Sequence, residues 1–253
     1  MPPSKESFAD ITSSLNRALR DYKPPAGVHL VYNPLEYAEG AFLAYCRRFG
    51  MTGSGQRKRV ARGRVLLLGM NPGPWGMAQT GIPFGAVSMV RDWLRIKAEV
   101  GRPAVEHPKR PVLGLACERE EVSGARLWGW ARDRFGSPAA FFRHFFVYNY
   151  CPLMFMEESG RNVTPDKLPA SFRDTLFSAC DDALRALVHL IEPSMVVGVG
   201  TFAEKRAAAC VDGHIPVARI LHPSPASPLA NRDWAGTVTR QLRAMPIAAL
   251  AVA

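Results

Sequence analysis

Short apolar runs that stop abruptly in loop-forming residues constrain this chain most. Val65-Leu66-Leu67-Leu68 runs into Gly-Met-Asn-Pro-Gly-Pro-Trp-Gly-Met-Ala-Gln-Thr-Gly-Ile-Pro-Phe-Gly, from Gly69 to Gly85. Val217-Ala218-Arg219-Ile220-Leu221 runs into His-Pro-Ser-Pro-Ala-Ser-Pro-Leu-Ala-Asn-Arg-Asp-Trp, from His222 to Trp234. Phe145-Phe146-Val147-Tyr148 ends at Asn149, and Met195–Val199 follows Pro193. Such runs read as buried strands, and helical periodicity lies between them. It predicts helices over 7–20 (Phe8, Ile11, Leu15 and Leu19 on one face), 35–49, 86–98, 170–191 (Leu176, Leu184, Leu187, Leu190), 201–211 and 230–244. Strands alternating with helices predict a three-layer α/β/α domain over 1–253, with a central four-stranded parallel sheet. Ligands bind beyond the carboxyl ends of such strands. The two stiff loops therefore carry Asn71 and His222 to one cleft.

The formal charge is +10, from 32 Lys+Arg against 22 Asp+Glu. That excess favours polyanions through counterion release, but alone it does not decide for nucleic acid. The five cysteines are scattered and form no Cys-x-x-Cys pair. They indicate neither a zinc ribbon nor a disulfide framework, and a reduced compartment is expected. No apolar stretch reaches membrane-span length, and the polar start is not a secretory signal. The expectation is a monomer without metal or cofactor, cytoplasmic and nucleoid-associated in a bacterium or nuclear in a eukaryote.

The two loops resemble those of the single-strand-selective monofunctional uracil-DNA glycosylases, a branch of the uracil-DNA glycosylase superfamily. So do Glu121-Val122-Ser123-Gly124-Ala125-Arg126, Val147 to Leu153, Ser159-Gly160-Arg161-Asn162-Val163-Thr164-Pro165 and Val196-Val197-Gly198-Val199-Gly200. They occur in the family's order, from about Tyr32 to the last helix. The resemblance implies the uracil-DNA glycosylase-like fold and hydrolysis of the N-glycosidic bond of uracil in single- and double-stranded DNA. It also implies action on 5-hydroxymethyluracil. Some members of the superfamily hold an iron–sulfur cluster on four cysteines, and that spacing is missing here.

The chemistry needs a donor aimed at the leaving uracil anion, a group that orients water, and a pocket for an extruded nucleotide. Asn71 is the candidate to position water and His222 to donate to uracil O2. Phe84, 13 residues after Asn71, has the superfamily's spacing for stacking on the base. Asn149 can pair with N3–H and O4. Met70, Gly73 and Met77 complete the expected base pocket, Gly73 near C5, where glycine leaves space, and Met77 through its main chain. Pro225, Ala226, Ser227 and Pro228 form the expected wedge, with Ser224 for phosphate and Asn231 and Arg232 opening the last helix. Better-known animal members carry Arg-Asn where this chain has Ala226-Ser227, which puts duplex activity in question. Arg126 and Arg161 each have an acid nearby, Glu121 and Glu158, so ion pairing and DNA contact are equally open. Neither loop contains lysine, so no amine is offered for a Schiff base. Rival readings are a hypoxanthine- or xanthine-directed glycosylase, a non-catalytic single-stranded DNA-binding module, and a small-molecule nucleotide hydrolase.

Overall fold

A computed structural model describes residues 6–247. The central sheet comprises β1 (Val65–Gly69), β2 (Phe145–Asn149), β3 (Met195–Val199) and β4 (Val217–Ile220). Its order is β2-β1-β3-β4 and every pairing is parallel. The first three strands are buried along their whole length. Continuous apolar runs are what such strands require, because helices cover both faces.

The main helices are α1 (Phe8–Leu19), α2 (Glu39–Phe49), α3 (Val122–Phe135), α4 (Ala170–Ile191), α5 (Thr201–Cys210) and α6 (Pro228–Arg243). Helix α4 packs against α1 and α5, and α3 packs against α6. Ser7 and Asp10 close a reciprocal capping box that starts α1. Trp128, Phe141, Phe142 and Phe145 are buried together beside the sheet.

Three expectations change. The helix predicted over 86–98 is instead a short segment ending in a wide π-helical turn, Met89–Leu94, stopped by left-handed Arg95 at φ 52°. The predicted 35–49 helix is divided into Pro34–Tyr37 and α2, because Ala38 leaves helical geometry. Helix α3 and a small antiparallel sheet were not anticipated; the latter pairs Leu30–Tyr32 with Met154–Met156, and that strand with Asn162–Val163. Helix α6 starts at Pro228 and kinks at Asp233 (φ −161°, ψ 78°).

No helix among the described residues is long and apolar enough to cross a membrane. All five cysteines are buried thiols. Among the described residues no three His, Cys, Asp or Glu side chains cluster to hold a metal ion.

Candidate active site

The carboxyl ends of the strands meet a pocket of about 750 Å³. Met70, Asn71, Gly73, Met77 and Phe84 reach it from the loop after β1, and Asn149 from the end of β2. His222, Ser224, Pro225 and Ala226 reach it from the loop after β4. The predicted pocket residues are thus brought together, with the exposed part of the expected wedge at the rim. Ser227, Pro228, Asn231 and Arg232 do not line it.

The first loop is held by buried polar side chains. Gln79 donates to the carbonyls of Pro74 and Pro111, each at 3.0 Å, and accepts from the Leu113 amide at 2.8 Å. Thr80 Oγ1 donates toward the Gly76 and Gly85 carbonyls, 3.2 and 3.0 Å away, and accepts from the Ile82 amide. These bonds satisfy loop backbone groups that burial would otherwise leave unpaired. Neither residue stood out in the sequence, because its partners are distant or are backbone atoms.

Asn71 Nδ2 faces the Leu153 carbonyl at 3.3 Å and the Pro72 carbonyl at 3.4 Å. Both are acceptors, so the amide nitrogen belongs there and Oδ1 is left to accept from water. Asn162 also donates to the Pro72 carbonyl, at 3.4 Å, and lines the same pocket. The sequence reading had not named it as a site residue.

Asn149 is buried, and its Oδ1 has no partner within the protein. Its Nδ2 lies 3.2 Å from the Met77 sulfur. Met77 thus sets the amide orientation with its side chain, where only main-chain contacts were expected. A Cβ on Gly69 would lie 2.2 Å from Asn149 Oδ1 and 2.5 Å from the Phe84 ring. The strand must end in glycine for these two side chains to sit over it.

Phe84 holds a left-handed backbone, φ 53°. A non-glycine residue there costs about 1–3 kcal/mol, and such strain collects at functional sites. Helix α3 supports it: a Cβ on Gly124 would come within 2.1 Å of the Phe84 carbonyl oxygen. The Phe84 and His222 rings face the same space, with centroids 6.3 Å apart.

His222 Nδ1 accepts a hydrogen bond from the Ser224 amide at 3.1 Å. In neutral imidazole the proton is then on Nε2, leaving an N–H donor. Burial pushes its pKa below the usual imidazole range, favouring this uncharged form. Gly200, at φ 95°, makes room behind it; a Cβ there would be 3.2 Å from the His222 Cβ.

The second loop is braced by Arg126 of α3. Its guanidinium donates to the Pro223 carbonyl at 3.1 Å, the Ser224 carbonyl at 3.4 Å and Asn231 Oδ1 at 2.9 Å. Arg126 is therefore a loop brace, not the partner of Glu121. Asn231 completes the brace by donating to the Pro225 carbonyl at 2.8 Å, so its side chain is committed internally. Ser227 accepts from the Ala230 amide as the cap of α6, with Pro228 in the first turn. Ser224 Oγ accepts from the Ala226 amide at 3.2 Å, which leaves its O–H as a donor. Arg161 pairs with Glu157, not Glu158. Pro225, Ala226 and Arg232 are exposed, and so is Leu229, at 60%, a residue the sequence reading passed over.

Residues 59–242 match the Uracil DNA glycosylase superfamily. The "Single-strand selective monofunctional uracil-DNA glycosylase" of Rattus norvegicus is 48% identical over 241 residues, 94% of this chain and 84% of that one. The corresponding proteins of Bos taurus and Mus musculus are 48% and 47% identical, again over 94% of this chain and over 85% and 83% of theirs. The crystal structure of wild-type Pedobacter heparinus SMUG2 has a TM-score of 0.62, covering 92% of this chain and 96% of that chain. At 16% identity it speaks for the fold alone. With a superfamily match over most of its length and relatives near half identity across nearly all of it, the chain belongs to the single-strand-selective monofunctional branch of the uracil-DNA glycosylase superfamily.

Proposed function

We propose that this enzyme hydrolyses the N-glycosidic bond of uracil and 5-hydroxymethyluracil in single- and double-stranded DNA and leaves an abasic site. The observation that carries the reading is the pair of oriented donors and acceptors in one pocket. His222 is fixed as a neutral Nε2–H donor, and Asn71 has its amide nitrogen occupied and its oxygen free.

The base enters extruded from the strand and stacks on Phe84. Asn149 Oδ1 accepts from N3–H while Nδ2 turns to O4; cytosine presents the reverse pattern and is refused. The C1′–N1 bond breaks with its electron pair passing into the ring. His222 donates to O2 where negative charge gathers, a stabilisation made mainly in the transition state. Water on the Asn71 oxygen adds to C1′ and gives up its proton to solvent. An amide is a poor base, so Asn71 contributes orientation.

The +10 charge draws the strand. Ser224 and Arg232 offer phosphate donors, while Pro225, Ala226 and Leu229 present small or apolar surface where the base left the stack. The absence of lysine from both loops supports hydrolysis without strand cleavage. The test uses single- and double-stranded oligonucleotides with one uracil, one 5-hydroxymethyluracil or one cytosine, treated with alkali after incubation. Alkali-dependent cleavage at the first two, and none at cytosine or without alkali, is expected. No abasic product at uracil would overturn the assignment.

A further inference from the structure

Glu121 precedes α3 in the N-cap position, yet its side chain does not cap that helix. It turns instead toward the first loop. A Cβ on Gly73 would fall 2.2 Å from Glu121 Oε2, and one on Gly76 would fall 2.8 Å from Glu121 Cγ. The two glycines make the slot that the carboxyl fills. Glu121 lines the pocket, and Oε2 is buried without a hydrogen-bond partner in the protein. A buried oxygen left unpaired costs about 1–3 kcal/mol, so it selects for a ligand that pairs with it.

The base edges are already divided. His222 addresses O2, Asn149 addresses N3 and O4, and N1 carries the sugar, which leaves the C5–C6 edge. We propose that Glu121 is a specificity-determining residue whose Oε2 hydrogen-bonds polar substituents at C5 of the extruded pyrimidine. This rests on the base-binding reading above.

A hydroxymethyl group pairs with Oε2, uracil's C5–H leaves room for a water, and a thymine methyl fills the space while leaving the oxygen unpaired. Burial raises the Glu121 carboxyl pKa; the Trp75 and Ser123 amides oppose this, and Glu120 adds to it. A neutral acid can donate as well as accept, and sets no negative charge against the departing uracil anion.

The experiment measures single-turnover release from single-stranded oligonucleotides carrying uracil, 5-hydroxymethyluracil or thymine. Wild type is compared with Glu121→Ala and Glu121→Gln. Expected is a roughly tenfold fall in the 5-hydroxymethyluracil-to-uracil rate ratio in Glu121→Ala, the scale of one lost hydrogen bond in a dry site. Glu121→Gln, which keeps shape and polarity, restores most of that ratio. Free thymine should also compete better with Glu121→Ala than with wild type. An unchanged ratio, or equal losses on both bases in both variants, makes Glu121 merely structural and overturns the inference. If wild type releases uracil but not 5-hydroxymethyluracil, the base range proposed above fails first. If it releases neither, the assigned reaction fails.

Discussion

The loops after β1 and β4 both deliver residues to the pocket, but they are built differently. The first is anchored from below by Gln79 and Thr80, pressed by Glu121 and Gly124, and strained at Phe84. The second carries exposed Pro225 and Ala226 and is tied down mainly through Arg126 and Asn231. The difference separates two tasks. Bond breaking needs groups fixed before the substrate arrives, since reorganisation during the reaction costs rate. Opening a duplex needs surface that reaches outward and meets variable stacking. Changes in the first loop should therefore depress single- and double-strand activity together, and changes in the second should alter their ratio.

The largest effects test the fixed half. Asn71→Ala and His222→Ala should each lower single-turnover release by about 10²–10³ on both substrate forms, with DNA binding retained. Near-wild-type turnover in both would break the comparison at its root. Gly69→Ala comes next. Its Cβ displaces Asn149 and Phe84, and overpacking of this kind costs about 1–3 kcal/mol. Release should fall roughly ten- to hundredfold, again on both forms, with weaker discrimination against cytosine. Wild-type selectivity in this variant would show that β1 tolerates a side chain at the base-reading end.

Arg126→Ala tests the adjustable half. It frees the Pro223 and Ser224 carbonyls and Asn231. A loss of about fivefold on U·A duplex is expected, near 1 kcal/mol, with less on single strands. Equal losses would move Arg126 into the chemical half, through the backbone that holds His222. Ala226→Arg should have the smallest effect, a gain of about two- to fivefold on duplex over single strand that fades between low and high salt. A ratio that stays constant would place residue 226 outside the wedge. Gly73→Tyr no longer serves as a clean probe of C5 space, since even a Cβ there meets Glu121.

The pH dependence carries a sign. Burial lowers the His222 pKa, so between its folded and ordinary values the unfolded chain binds the extra proton. Its contribution to stability is full above the ordinary imidazole pKa, declines as pH falls toward the folded value, and is constant below it. Chemical denaturation across that window should show a drop that His222→Gln lacks.

The central sheet was legible because strands buried on both faces must be apolar throughout, as Val65–Leu68 and Val196–Val197 are. Asn71 and His222 were legible because stiff loops follow those strands. Helix α3 was not, since Ser123, Gly124 and Gly129 weaken its apolar stripe. Gly124 is there for the Phe84 carbonyl, a contact no local pattern encodes. Glu121 looked like a salt-bridge partner because Arg126 is five residues away, whereas its neighbours in space are Gly73 and Gly76. The strands of the small antiparallel sheet are two or three residues long, too short for alternation to register.

The break at Asp233 turns α6 into two mechanical bodies. Beyond it, Asp233 Oδ1 accepts from the Gly236 amide at 2.8 Å, and Trp234 anchors to the Leu221 carbonyl at 2.8 Å. Ahead of it, Pro228 to Arg232 form a single turn joined to the loop. A load applied by a bent duplex is therefore absorbed as rotation about one residue, like a compliant joint ahead of a clamped beam. The clamp lies directly before His222, so the strand end that aims the imidazole stays level while the tip of the loop gives.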